Sequence, residues 1–225
     1  KPRYSLDLLL TEIINLPGLE RVRLSSIEPM QLSRRVTDVA ANSRKIAPHF
    51  HICLQSGSDR ILKKMLRPYN TARFGAIVEE IRQKLPAAAI GTDVIAGFPG
   101  ETDRDHRETV DFVTRMPFTY LHVFPYSDRS ETAASKMSKK IDSQTIKHRC
   151  EELRYIGDEK QRQFRGQFVG KALSVLTLSE KKHQMRTCIS DNYLKGKLVF
   201  DVPPNRIVEA KVVGETGDGY LVLQA

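Results

Sequence analysis

Up to about residue 166 the chain alternates between two hydrophobic rhythms. Apolar residues at a 3.6-residue period predict amphipathic helices, and short alternating or continuous apolar runs predict strands. "YSLDLLLTEIINLPG" has the helical period and stops at Pro17-Gly18. "RVRLSS" (21–26) predicts a short strand, and "LSRRVTDVAANSRKIA" a helix. His49, His51 and Cys53 alternate with Phe50, Ile52 and Leu54, which predicts a strand over 49–55. Ser58 is placed to cap the next helix, in which Ile61, Leu62, Met65 and Leu66 share a face. "NTARFGAIVEEIRQKLP" predicts a helix capped by Asn70 or Thr71 and stopped by Pro86. "AAIGTDVIAGFPGET" predicts an apolar strand ending in a Gly-Pro-Gly turn. Thr102 then caps a helix over 102–116, and "TYLHVFPYS" (119–127) predicts another strand. Four strands that each follow a helix predict βαβ units, and so a parallel sheet or barrel.

The rhythm changes near residue 130, where "DRSETAASKMSKK" reads as a polar loop. A long charged helix follows over 142–165, with Gly157 inside it. After Gly166 come five short alternating runs, "KALSVLTLSE", "QMRTCIS", "NYLKGKLVF", "RIVEAKVVGE" and "GYLVLQA", separated by turn signals. That pattern predicts a small antiparallel β-barrel of the oligonucleotide-binding style. The expected organisation is therefore an α/β part over 1–140, a linker helix over 141–165 and a β-barrel over 166–225.

Composition narrows the classes. No apolar run is long enough to span a bilayer, and no basic-then-apolar leader is visible at the start. The first residue is Lys1 rather than Met, which fits a processed or cut chain. Cys53, Cys150 and Cys188 are widely spaced, with no CxxC or Cys-His cluster, so no metal site is expected. Sparse cysteine fits a reducing compartment, and a cytoplasmic location is expected. The net charge of +9 fits anionic partners, nucleic acid first, and a merely basic surface about equally.

Candidate chemistry gathers at the strand ends. "RLSSIEP", "LQSGSD", "TDVIAGFPGET" and "HVFPYSDR" are polar or glycine-rich turns that converge on one face if the strands are parallel. Gly97 and Gly100 allow close backbone approach to a flat ligand. Gln55 and Ser56 suit a ribose, and Phe124 and Tyr126 can flank a base. Asp93 lies within an apolar strand, where a carboxylate needs a partner; a site role and a structural pairing with Arg or His are both open. His122 reads as structural. Glu28 is either a strand-tip ligand or a cap. His106, His148 and His183 read as surface residues. In the tail, Lys171, Lys181, Lys182, Arg186, Lys195 and Lys197, with Tyr193 for stacking, form a candidate RNA-binding face.

"LQSGSDRILKKMLRPY", "TDVIAGFPGET" and "HVFPYSDR", in this order and spacing, resemble the radical S-adenosylmethionine methylthiotransferases. The tail is similar to the TRAM domain of those enzymes. "RLSSIEP" and "CISDNYLK" resemble the branch that modifies threonylcarbamoyladenosine beside the tRNA anticodon. The resemblance implies a radical-SAM (β/α) barrel and two 4Fe-4S clusters. It also implies reductive cleavage of S-adenosylmethionine and transfer of a methylthio group to C2 of the adenine. It places Gln55, Ser56, Gly97, Phe98, Gly100, Phe124, Pro125 and Tyr126 around S-adenosylmethionine, and Asp93 near the ligand or target base.

The family's cluster cysteines are not in this chain, which therefore resembles a C-terminal part: half a barrel plus TRAM. The expectation is a chain inactive by itself that self-associates through its open sheet edge. Alternatives stay open: an RNA-binding module without catalysis, a sister enzyme acting on isopentenyladenosine tRNA or a ribosomal protein, or a barrel enzyme binding phosphate at "GFPGET".

Overall fold

The computed structural model describes residues 4–182 and 184–225, so the expectation for His183 lies outside it. The first part is built on a parallel sheet of β1 (His49–Gln55), β2 (Ala89–Ala96) and β3 (Tyr120–Pro125), in the order β1-β2-β3. Phe50, Ile52, Leu54, Ile90 and Val94 from one face of this sheet lie in a core with Phe74, Val78, Ile81, Phe112 and Val113. Those partners come from α4 (Thr71–Lys84) and α5 (Asp103–Arg115). The other face carries the remaining alternate residues, among them His51, Asp93 and His122.

Asn70 and Thr102 act as caps, and Ser58 does not. The Asn70 side chain accepts the Arg73 amide, and Thr102 and Asp105 form a reciprocal capping box. Ser58 starts α3 (Asp59–Lys64) without capping it, because its hydroxyl faces the carboxylates of Asp105 and Glu108, to one of which it donates. Leu66 does not share the buried face of Ile61 and Leu62. It falls beyond the helix with φ 56° and is 83% exposed.

The strand expected over 21–26 is a correction. Only isolated parallel bridges form, Val22 to Ile46 and Ile27 to Ile52. Ser26 takes a left-handed φ of 47°, which interrupts the extended run. The sheet therefore has three regular strands, preceded by α1 (Leu6–Ile14) and α2 (Arg34–Ala41).

Helix α6 (Ser143–Gly166) lies along β3. A Cβ on Gly157 would stand 3.1 Å from Leu121 Cβ, so glycine allows the close approach. Cys150 and Leu153 join the sheet's core, while Phe164 joins the core of the second part.

That second part is a closed barrel of β4 (Ala172–Lys182), β5 (Met185–Ser190), β6 (Lys195–Leu198), β7 (Ile207–Glu215) and β8 (Leu221–Gln224), in the ring order β4-β5-β6-β8-β7. It is not wholly antiparallel, because β6 and β8 pair in parallel. A closed ring with an odd number of strands cannot alternate direction at every pair, so at least one must be parallel.

The barrel meets the sheet at the N-terminal ends of the strands. Asn192 donates to the Ala87 carbonyl at 3.2 Å, and the Arg23 guanidinium lies 3.6 Å over the Tyr193 ring. Among the described residues no helix is long and apolar enough to cross a membrane.

Candidate functional site

The C-terminal ends of β1 and β2 are braced to each other before any ligand is considered. Gln55 closes β1 with φ 72°. The Arg60 side chain binds Asp105 through Nε at 2.8 Å and donates to the Gly100 carbonyl at 2.7 Å. Asp105 also accepts the Thr102 amide at 2.7 Å and the Ser58 hydroxyl at 2.9 Å. Burial raises the Asp105 carboxyl, but these donors outweigh it and hold the group far below its ordinary value. Beside this, Glu101 accepts the Gly97 amide at 2.8 Å and Arg149 at 2.7 Å.

A cavity of about 600 Å³ opens over these turns, within the size range of small-molecule sites. Gln55, Asp93, Phe98, Phe124, Pro125 and Tyr126 line it, together with Ile95, Lys64, Arg67 and Arg129. Phe98 and Tyr126 meet edge to face, 5.6 Å between centroids. Residues from all three strand ends thus share one wall.

Ser56, Gly97 and Gly100 do not line the cavity, and their expected place around a ligand needs correcting. Ser56 is fully buried, with its hydroxyl against Thr109 and accepting the Ser58 amide. The Gly97 amide is taken by Glu101, and a Cβ there would collide with Ile146. The Gly100 amide donates to the Lys139 carbonyl at 2.8 Å. All three shape the turns from behind.

Below the cavity the other face of the sheet is polar. His51 Nε2 stands 2.8 Å from Asp93 Oδ1, and His51 Nδ1 stands 3.0 Å from the Tyr120 hydroxyl. Tyr120 reaches His49 Nε2 at 2.9 Å, and Arg23 Nε donates to His49 Nδ1 at 3.3 Å. The two ends fix the direction of this chain. Arginine can only donate and a carboxylate can only accept. The protons therefore point from Arg23 through His49, Tyr120 and His51 to Asp93. Burial lowers His49 to about 4, so it is neutral and able to accept from Arg23. Asp93 is thus both paired and at the cavity wall. His122, 56% exposed in its side chain, lies 3.4 Å from Asp93.

His49, Tyr120 and Arg23 had no signal of their own in the sequence. Only the strand alternation, which places 49 and 51 on one face, hinted at them. His106 is a correction: it is buried and bonded to Glu152 at 2.7 Å. His148 is exposed. Glu28 lies 3.4 Å from Arg67 and precedes a short 3-10 turn without capping it.

On the barrel, Lys171, Lys181, Lys195 and Tyr193 are exposed. Lys182 donates to the Tyr220 hydroxyl at 2.8 Å, and Arg186 is spent on the Leu178 carbonyl at 3.0 Å. Lys197 is a correction. It is 3% exposed, pairs with Asp218 at 3.1 Å and lies over the Tyr220 ring, so it offers no free charge.

Known proteins resemble this chain in sequence and in fold. Residues 2–113 match the Radical SAM superfamily. The solved coproporphyrinogen III oxidase (HemN) of Escherichia coli, a radical SAM enzyme, superposes with a TM-score of 0.52 over 74% of this chain and 38% of its own, at 15% identity. That likeness concerns the fold. Together they define a radical SAM protein.

The threonylcarbamoyladenosine tRNA methylthiotransferase MtaB of Aquifex aeolicus (strain VF5) is 39% identical over 191 residues, covering 85% of this chain and 45% of that protein. Its namesake in Bacillus subtilis (strain 168) is 34% identical over 197 residues, 85% of this chain and 44% of that one. The tRNA-2-methylthio-N(6)-dimethylallyladenosine synthase of Corynebacterium efficiens is 35% identical over 209 residues, 92% and 40%. The chain belongs to the radical SAM methylthiotransferase family. It spans less than half the length of these curated relatives.

The family implies S-adenosylmethionine and a 4Fe-4S cluster. The cavity fits the first: it has aromatic rings for a base, Asp93 for an ammonium, and Lys64, Arg67 and Arg129 for a carboxylate. The residues present do not fit the second. Cluster ligation needs neighbouring thiolates. Cys53 is on β1, Cys150 is buried in α6 and Cys188 is buried in the small barrel. Burial pushes all three thiols up, Cys53 to about 11 and Cys188 to about 12.

Proposed function

We propose that this chain forms the substrate-side part of a tRNA methylthiotransferase acting on threonylcarbamoyladenosine next to the anticodon. The carrying observation is the convergence of Gln55, Asp93, Phe98, Phe124 and Tyr126 on one cavity at the C-terminal ends of parallel strands. The most similar relatives named above include enzymes of that description. S-adenosylmethionine supplies a carbon radical when it is reductively cleaved. In this reading Phe98, Phe124 and Tyr126 hold its adenine and exclude water, Gln55 reaches the ribose, and Asp93 orients the amino-acid end or the target base. These residues cannot hold an iron–sulfur cluster. Two clusters bound by other residues belong to the proposal, as does the inactivity of this chain by itself.

The second half of the proposal is that residues 166–225 form a TRAM-like RNA-holding barrel behind the linker helix 141–165, with residues 1–140 as part of the radical-SAM barrel. Tyr193 sits beside His49, at the opposite end of β1 from Gln55. At about 3.3 Å per residue, a seven-residue strand separates those ends by roughly 20 Å. The bound RNA must span that length for its target base to reach the cavity.

The testing experiment is a deletion of the gene followed by mass spectrometry of tRNA nucleosides. Loss of the methylthio form of threonylcarbamoyladenosine alone supports the reading. Loss of the isopentenyladenosine form points to the sister branch, which the Corynebacterium relative's description makes the second reading. Intact tRNA modification overturns both. Self-association through the open sheet edge is also proposed, and a clean monomer by light scattering at high concentration overturns it.

A further inference from the structure

We propose that His51, Cys53 and Asp93, with His122, form a binding site for a single divalent ion of the zinc class, in the wall between the cavity and the polar face of the sheet. The proposal does not depend on the function above. Cys53, Asp93 and His122 are direct neighbours in register across the three parallel strands. His51 is two residues earlier on β1 and so on the same face. The ligand atoms of His51, Cys53 and Asp93 all lie within 4.8 Å of one another.

The individual separations are those of a site nearly closed. His51 Nε2 is 2.8 Å from Asp93 Oδ1, Cys53 Sγ is 3.6 Å from Asp93 Oδ2, and His122 Nδ1 is 3.4 Å from Asp93 Oδ1. Ligands at zinc-like bond lengths in a tetrahedron stand roughly 3.3–3.7 Å apart. Of these three separations, that between His51 and Asp93 has to open, by about half an ångström on that geometry. Two imidazoles, a thiolate and a carboxylate select zinc or cobalt over magnesium or calcium, which prefer oxygen. A single thiolate separates this site from any iron–sulfur cluster.

His51 Nδ1 is 3.0 Å from the Tyr120 hydroxyl, the kind of outer partner that orients a ligating histidine. Without an ion, the donor chain from Arg23 puts the His51 proton on Nε2, facing Asp93. With an ion, Nε2 gives its lone pair to the metal, the proton sits on Nδ1, the Tyr120 hydroxyl turns its own proton away and accepts from both His49 and His51, and the Cys53 proton leaves to solvent. Ion binding therefore exchanges one His51 tautomer for the other.

The experiment is a titration of the chelator-treated chain with cobalt(II), then zinc. One cobalt per chain is expected, with intense tetrahedral visible bands and a thiolate-to-cobalt charge-transfer band, both abolished by zinc. Cys53→Ser should remove the charge-transfer band, while Cys150→Ser and Cys188→Ser keep it. Nitrogen NMR of the imidazoles should show His51 changing tautomer on zinc addition. Losing an outer partner alone weakens metal affinity by about 10–100-fold, and His122→Gln should lose at least about tenfold. That variant alters an exposed side chain, so it keeps the test open if Cys53→Ser misfolds. No stoichiometric binding, a charge-transfer band that survives Cys53→Ser, or unchanged affinity in His122→Gln overturns the site.

Discussion

Arg149 on α6 holds Glu101 in the turn after β2, with 2.7 Å between Nη1 and Oε2 and both side chains almost wholly buried. Burial pushes the Glu101 carboxyl up, against the pull of the Gly97 amide and Arg149. Removing the arginine leaves a buried carboxylate without its counter-ion. Arg149→Ala should cost about 3–5 kcal/mol in chemical denaturation. Adding Glu101→Gln should restore part of that loss. A single variant within 1 kcal/mol of the parent, an order-of-magnitude threshold, would show that the pair is dispensable.

Asp105 sets the acid limit of the same turns. Its folded-state value is depressed, chiefly by Arg60 and Thr102 acting against burial. A depressed carboxylate stabilises the fold above its unfolded value of about 4, and the contribution is lost as pH falls below that. Denaturation midpoints should therefore drop steeply below about pH 4. Asp105→Asn should flatten that slope and lower stability at neutral pH by about 2 kcal/mol. An unchanged slope would assign the acid sensitivity elsewhere.

Gly91 makes room for the ring of Tyr120. A Cβ at 91 would overlap that ring, which carries the bonds to His49 and His51. Gly91→Ala should cost about 1–3 kcal/mol or more. It should also break the donor chain, which imidazole NMR would show as a change of protonation at His49. Both signals unchanged would mean that the sheet can relax around the methyl group.

On the barrel the lysines should separate by position. Lys195→Ala should lower the log–log salt slope of tRNA binding by about one and weaken affinity uniformly across sequences. Lys197→Ala should leave the slope alone and reduce stability, because its charge already serves Asp218 and Tyr220. The reverse pattern would place the RNA on another face.

How far these residues were legible depends on where their partners come from. Gln55, Phe124 and Tyr126 stand at strand ends, and strand ends follow from local alternation. Ser56, Gly97 and Gly100 look like ligand residues in a string of letters. Their partners Thr109, Glu101 and Lys139 are fixed by how the turns pack, which periodicity does not carry. His49 and Tyr120 met through register between β1 and β3, which are not adjacent in the sheet. Lys195 and Lys197 share a strand and a parity, yet only the second is covered by Tyr220. The stretch at 21–26 makes only an isolated bridge at Val22 and ends on a left-handed residue, Ser26.

The parallel pairing of β6 with β8 also bears on how the protein is made. Ribosomes release the chain from its N-terminus, so β4 to β7 emerge before residues 221–224. Until β8 arrives, the ring cannot close, and β6 and β7 each present an unpaired edge to a crowded cell. β6 is short and carries Lys195 and Lys197, features that discourage pairing with another chain. The lysine that ends buried beside Asp218 thus lies on that edge until β8 covers it.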